Sequence, residues 1–399
     1  MAKRILILGT GPNAARVVRK ARELGFYTVA MDADAQSPIL EAADEAHVGN
    51  GLDAGEIVGV ARDAQVDGLY PPPEPAVTAA PRAAAQLGLA GLGPEAATLT
   101  RNKLAMREAF AAHGVPNPPF RGVDSVAEAG EAGRTLGLPL IVKPADSFRG
   151  VGVRQVDRLE EISLAYARAR RSSDVKTVLL EAVMAGDEFS VDAVAQDGAV
   201  QFGAVMGRER CQPPTCVYEG VFAPPLLDDP TRDALFEAAG EALRALGVVN
   251  GCVHVEAIVT RAGPRVIEVA AYPAATWLPQ DVAALAGGAD GEANALRWAV
   301  GEGPFPAPVC DRGAALYWIP TRSGVVTEIR GLEAARAVEG LQDVVMTAKP
   351  GDVMGHVVDC PTRDRVGYVV ATGATAAAAV AAAKRARDCC EVVTSPAYE

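Results

Sequence analysis

Glu256 and Glu268 lie in two β-branched, apolar runs, VHVEAIV (253–259) and PRVIEVA (264–270), separated by Arg261, Ala262 and Gly263. That pattern predicts an antiparallel hairpin. Alternate residues of a strand share a face, so acids on paired strands can converge on one point. Converging carboxylates need a cation. A hard divalent ion of the magnesium type takes oxygen ligands and is commonly shared between one or two carboxylates and substrate phosphates. Taken alone, the hairpin reads more readily as a solvated acidic face.

Two lysines give the acids a context. Lys103 is expected at the start of a helix running to His113, where its charge opposes the helix dipole unless an anion is nearby. Lys143 ends an apolar strand in LPLIVKPADSFRGVGVR (138–154), and the following loop carries Ser147, Gly150 and Gly152. Backbone amides of such a loop can cradle phosphate oxygens while the lysine supplies a point charge. No G-K-[ST] follows the glycines, so this is not a Walker A loop. A strand over 177–180 leads to Glu181, and a turn at Gly186 leads to Glu188 and a further strand. Acids at the rim of one cleft suit an adenine amine and ribose hydroxyls.

The elements that position these residues begin with strand 4–8, the turn GTGPNA (9–14), a helix, and strand 27–31 followed by Asp32 and Asp34. This imitates a dinucleotide fingerprint. Small residues at Gly9 and Gly11 also let strand and helix pack closely without any cofactor, so an NAD site and a purely structural turn are both readings of it. Helices over 54–64 and 76–87 and a strand over 68–70 complete an N-terminal unit ending near residue 93. Beyond 300, a proline-rich linker (304–308) precedes expected strands at 314–320, 324–330, 343–348 and 365–371 and helices at 332–338 and 375–387.

With 399 residues and 49% hydrophobic content, the chain has enough apolar material for two or three domains. A net charge of -12 argues against nucleic acid as a partner. Seven cysteines without a CxxC pair fit reduced thiols. The N-terminal apolar run is too short for a signal sequence and no later one spans a membrane, so the expectation is a soluble, cytoplasmic protein.

V-K-P followed by a glycine-bearing loop, L-E-x-x-x-x-G-x-E-x-S-V, and H-x-E followed by P-R-x-I-E-V resemble the ATP-grasp superfamily in order and spacing, over nearly the whole chain. The likeness is greatest to the carboxylate-amine ligase branch that includes bacterial L-amino acid ligases. It implies an α/β fold with a Rossmann-like pre-ATP-grasp domain (1–93) that holds no NAD. It further implies an ATP-grasp nucleotide-binding and catalytic domain (94–300, its lid over about 130–195) and a C-terminal α/β lobe (301–399). Residue by residue, it implies that Lys103 and Lys143 contact ATP phosphates beneath a closing loop that includes Ser147, Gly150 and Gly152. Glu181 would meet the adenine with backbone contacts from Ala182 and Val183, and Glu188 would hold the ribose. Glu256 and Glu268 would ligate magnesium, or manganese in its place. CVYEGVFAP (216–224) resembles a strand near the acceptor site, making Glu219 a candidate for the substrate or for that strand's own structure. The implied activity joins a small carboxylic acid to an amine with release of ADP, by an enzyme whose relatives are often homodimers.

Four positions depart from the family pattern. Ala270 and Tyr272 stand where an asparagine and an arginine are usual, and Phe148 and Arg149 replace smaller loop residues. Arg149 or Arg265 is a candidate to restore the missing cation. Tyr272 and Trp277 suggest an aromatic or uncharged substrate, or simply core packing. A degenerate protein that binds nucleotide or a partner without turnover, and a bicarbonate-using carboxylase-like relative, are the competing readings.

Overall fold

The computed structural model describes residues 2–9, 14–70, 76–148, 150–211, 216–272, 282–303, 305, 310–355 and 365–396. The N-terminal unit is a four-stranded parallel sheet ordered β3-β2-β1-β4. Its strands are β1 (Arg4–Leu8), β2 (Tyr27–Asp32), β3 (Glu45–Val48) and β4 (Gly68–Tyr70), interleaved with helices α1 (Ala14–Glu23), α2 (Pro38–Ala42) and α3 (Ala54–Asp63) and followed by α4 (Ala79–Leu87). Ile5, Leu6, Ile7 and Leu8 are all buried, as expected of a strand covered on both faces. Gly9 is small because of Asp32: a Cβ there would strike that carboxylate and Ile39. Asp32 in turn accepts from Ser37 Oγ at 2.6 Å and from the Asp34 amide at 3.1 Å. The acid of the apparent dinucleotide fingerprint therefore has internal partners, which favours the structural reading of Gly9; Gly11 lies outside the described residues.

Helices α5 (Pro94–Arg101) and α6 (Lys103–Ala112) lead into an antiparallel sheet ordered β5-β8-β6-β7. It comprises β5 (Phe120–Val123), β6 (Leu140–Pro144), β7 (Arg154–Val156) and β8 (Val178–Ala182), with α7 (Val126–Leu136) and α8 (Ile162–Arg171) packed together on it. Val123, Leu140, Val142, Ala165 and Tyr166 form its own small core.

An eight-stranded sheet, ordered β13-β12-β9-β10-β11-β14-β18-β16, forms the body of the molecule. Its first part is β9 (Asp187–Gln196), β10 (Ala199–Arg210), β11 (Tyr218–Ala223), helix α9 (Asp229–Ala245), β12 (Gly251–Thr260) and β13 (Gly263–Ala270), followed by α10 (Val282–Leu285) and α11 (Gly291–Ala299). The lobe beyond 300 adds β14 (Gly313–Trp318), β15 (Gly324–Arg330), α12 (Leu332–Arg336), β16 (Leu341–Met346), β17 (Val353–Met354), β18 (Gly367–Gly373), α13 (Ala376–Cys389) and β19 (Glu391–Ser395). Strands β14, β16 and β18 extend the large sheet instead of starting a separate one, while β15, β17 and β19 form a third small sheet. One face of the large sheet carries Val191, Val205, Val253 and Val255 against α9, and further along Tyr317 and Val369 against α13. The opposite face carries the polar residues considered below. Among the described residues, no helix is long and apolar enough to cross a membrane.

The N-terminal sheet meets α11 through Gly68, where a Cβ would collide with the Ala299 carbonyl. Gly68→Ala should destabilise the protein by about 1–3 kcal/mol through overpacking. Gly59→Ala, within α3 where a Cβ meets nothing, should stabilise it by about 0.5–1 kcal/mol. Urea unfolding of both variants checks the opposite signs.

Candidate active site

The hairpin forms as its sequence indicates, with Thr260 paired to Gly263 across the two-residue turn. Its register changes once. From the turn to Ala257↔Val266 the pairing is regular, but Glu256 then pairs with Glu268, leaving Ile267 as the extra residue of a β-bulge. Side chains alternate faces along a strand, so without the bulge Glu256 would face Ile267 and Glu268 would turn toward α9. One added residue puts both acids on the same face. Ser190 of β9 pairs with Glu256 on its other side, and Asp192 with His254.

β13 is an edge strand, and α6 covers its edge. The Val269 amide donates to Met106 Sδ at 3.3 Å, and Arg107 Nη2 donates to the Ile267 carbonyl. Arg107 is fully buried. Its Nε also meets Glu181 Oε1 at 2.7 Å, while Glu181 Oε2 meets Lys143 Nζ at 2.8 Å. Burial opposes ionisation of Glu181, but Arg107 and Lys143 outweigh it and hold the carboxyl below its usual range. Burial also depresses Lys143, with Glu181 opposing that shift.

Lys103 opens α6 behind Asn102, whose side chain caps the helix by accepting from the amides of Leu104 and Ala105. Its Nζ lies 3.0 Å from Glu268 Oε1 and donates to the Ser147 carbonyl at 2.6 Å. The loop that the lysine reaches is fixed by Asp146, whose carboxylate accepts from the amides of Asp174 and Val175. Gly150 and Gly152 both have positive φ, 73° and 77°, which explains the residue type at these turns.

On the sheet itself, Arg208 Nη1 lies 3.0 Å from Glu188 Oε1 and 2.6 Å from Glu256 Oε1. His254 Nδ1 lies 2.7 Å from Asp192, and its Nε2 lies 3.4 Å from Glu256. Burial pushes Glu256 up, yet Arg208 and His254 prevail and hold it well below the carboxylate range. Burial and the nearby charge of Glu256 raise Glu188 despite Arg208.

Lys103, Lys143, Ser147, Glu181, Glu188, Glu256 and Glu268 thus belong to one contiguous region. Arg265 pairs with Ile258, two residues from Glu256, and so lies on the acids' face at the hairpin's outer end. The amides of Ala182 and Val183 donate to the carbonyls of Pro119 and Pro139. Arg149 and Trp277 lie outside the described residues.

Three of the candidate residues have partners within the fold. Glu181 offers no free carboxylate to an adenine: it is 3% exposed and bonded through both oxygens. Glu219 is the extra residue where the β10–β11 register shifts, and the shift turns it to the side opposite Arg208. There it meets Arg387 of α13 at 2.8 Å, beside the Glu209–Lys384 pair. Tyr272 packs against the core under the large sheet.

The residues missed from sequence are Arg107, Arg208, Asp192 and His254. Arg107 had one visible signal, its place one helical turn beyond Lys103, which puts both on the same helix face. His254 is the histidine of H-x-E, two residues before Glu256 and so on its face, whereas Arg208 and Asp192 follow from strand register, which only the fold supplies.

Residues 136–281 match the family model described as an ATP-grasp domain. By that match the chain carries an ATP-grasp domain. Residues 1–99 match the biotin carboxylase N-terminal domain, and 316–395 match L-amino acid ligase C-terminal domain 2. An uncharacterized protein of Sinorhizobium fredii, y4rH, is 28% identical over 98% of this chain and 83% of its own length. The L-amino acid ligase from Bacillus licheniformis shares the fold with a TM-score of 0.81 and 21% identity, covering 98% of this chain and 99% of that one. The biotin carboxylase domain of Hydrogenobacter thermophilus 2-oxoglutarate carboxylase, solved with magnesium ADP and bicarbonate, gives 0.73 and 20% over 98% of this chain and 91% of its own.

Replacing Arg107 by Met should cost about 3–5 kcal/mol, because it breaks a buried ion pair and leaves Glu181 Oε1 and the Ile267 carbonyl without their donor. Glu181 is depressed in the fold, so its ion-pair contribution is present above the unfolded glutamate pKa and is lost as pH falls through the folded value. The stability gap between wild type and Arg107→Met, read from urea unfolding, should therefore narrow as pH drops below about 4.

Proposed function

We propose that the chain is an ADP-forming, magnesium-dependent ligase that activates a small carboxylic acid as an acyl phosphate and couples it to an amine. The observation that carries this is the facing pair Glu256 and Glu268, with Lys103 tied both to Glu268 and to the glycine-bearing loop. Two carboxylates on adjacent strands provide the hard oxygen donors that magnesium, or manganese, accepts. Ala270 adds no side-chain oxygen, so phosphates and water must complete the coordination.

Magnesium bound there would neutralise phosphate charge as two anions approach. Lys103 and Lys143 supply fixed positive charge along the phosphate chain, and the Ser147 loop gives backbone donors and shelter from water. A carboxylate oxygen of the substrate attacks the γ-phosphorus, and the bond to the β,γ-bridging oxygen breaks to release ADP. The amine then attacks the acyl carbon and phosphate leaves with the C–O bonding pair. The amine's surplus proton passes to phosphate or solvent. Glu188, placed at the far end of the Arg208 pair, is the ribose candidate, and Arg265 a candidate for steadying the transferred group.

One observation favours nucleotide binding without turnover: Arg208 already occupies Glu256, and Ala270 contributes no ligand. The two readings separate by experiment. Phosphate release from ATP should require one acid and one amine from screened pools, and Glu256→Gln or Glu268→Gln should reduce it about a hundredfold. Tight magnesium-dependent ATP binding without release from any pool would refute the ligase, and Ala270→Asn with Tyr272→Arg would then test the cause. Release driven by bicarbonate alone would indicate a carboxylase.

A further inference from the structure

The acid-bearing face of the large sheet continues beyond Arg208 into a cluster of rings and cations on the side of the C-terminal lobe. The Tyr218 ring lies 4.4 Å from the Arg208 guanidinium carbon and 4.9 Å from that of Arg365. Arg365 also stands 4.0 Å over the Trp318 ring, and Trp318 makes an edge contact with Tyr368 at 5.7 Å between centroids. Tyr218 and Trp318 share an apolar cluster with Met206 and Val221. Met206 pairs with Ser190, the strand neighbour of Glu256, so the cluster shares the face of the acids.

Three cations near this end of the sheet are matched by acids: Arg208 by Glu188 and Glu256, Lys384 by Glu209, and Arg387 by Glu219. Arg365 differs. Its guanidinium makes one hydrogen bond among the described residues, to the Tyr218 carbonyl at 3.0 Å, and no described carboxylate pairs with it. The indole Nε1 of Trp318, beneath it, is buried and has no acceptor among the described residues. A buried N–H without an acceptor is costly, and a half-buried guanidinium between rings retains strong donor capacity. Two donors side by side in an apolar, aromatic setting call for an acceptor-rich anion on an apolar body.

We propose that Arg365, Trp318 and Tyr218 form a subsite for a carboxylate on an apolar substrate, and that this carboxylate passes through the reaction unchanged. Arg208 and Tyr218 stand between Arg365 and Glu256, so the anion held here is not the one placed for phosphorylation beside the metal-binding acids. The assignment of this carboxylate as a spectator rests on the ligase reading; the subsite itself does not.

Calorimetric titration of the full chain with phenylacetate, and with phenylacetamide as its uncharged counterpart, tests the proposal. Phenylacetate should bind saturably and the amide about tenfold more weakly or worse. Arg365→Gln should reduce phenylacetate affinity about tenfold while leaving magnesium ATP affinity within about twofold. Trp318→Phe keeps a ring and removes the N–H, and should weaken phenylacetate about threefold, which keeps the test decisive if Arg365→Gln does not fold. Equal binding of acid and amide, full affinity in both variants, or no saturable binding by wild type would each overturn the subsite. Phenylacetate binding with these dependences in a chain that does not bind ATP would uphold the subsite and remove the ligase reading instead.

Discussion

One buried guanidinium registers the candidate site. Arg107 reaches from α6 to two different sheets, bonding the Ile267 carbonyl at the edge of the large one and Glu181 in the small one. Desolvating a guanidinium is expensive, and the charge is tolerated only where a carboxylate and a carbonyl meet it in good geometry. Lys143 shares Glu181, and Lys103 lies one turn earlier on the same helix, against Glu268. Both lysines and the second acid of the hairpin are thereby positioned relative to a single side chain. A displacement of α6 would move all of them together.

The bulge at Ile267 makes this arrangement possible. Strand periodicity is two, so a single extra residue decides whether Glu268 faces Glu256 or the apolar layer beneath α9. The same residue exposes its carbonyl toward α6, where Arg107 meets it. The feature that brings the acids together is also the one the cation recognises, and losing either would undo both.

The hairpin was legible because it is local: alternating β-branched residues and a short turn determine it without help from the rest of the chain. Lys103 and Lys143 were legible as types in context. Strand order was not. That β14, β18 and β16 extend the large sheet depends on contacts between residues far apart in sequence, and alternation alone does not reveal them. Glu219 shows how such a reading fails. Regular alternation continued through β11 would leave its side chain beside Tyr218's neighbours on the acid face, but a register shift at that very residue sends it to α13. Glu181 shows a different failure. Its place at a strand end suggested an open rim, whereas Arg107, unremarkable in a helix sequence, closes over it.

Arg208 gives the site its balance. A single nitrogen of this side chain lies within 3.0 Å of both Glu188 and Glu256, so a ribose hydroxyl at the first and a metal at the second would draw on carboxylates that already have a partner. Coordination of a divalent ion by Glu256 would therefore have to outcompete a buried, charge-assisted bond, leaving Arg208 with Glu188 alone, and a further anion beside Arg208 would offset that loss. Phosphate oxygens are such an anion. Metal and nucleotide should then bind more tightly together than either alone, because each relieves the cost that the other imposes on the same guanidinium. His254 Nε2 lies 3.4 Å from the same Glu256 oxygen that Arg208 meets, so a second positive group stays beside the acid while its first partner changes.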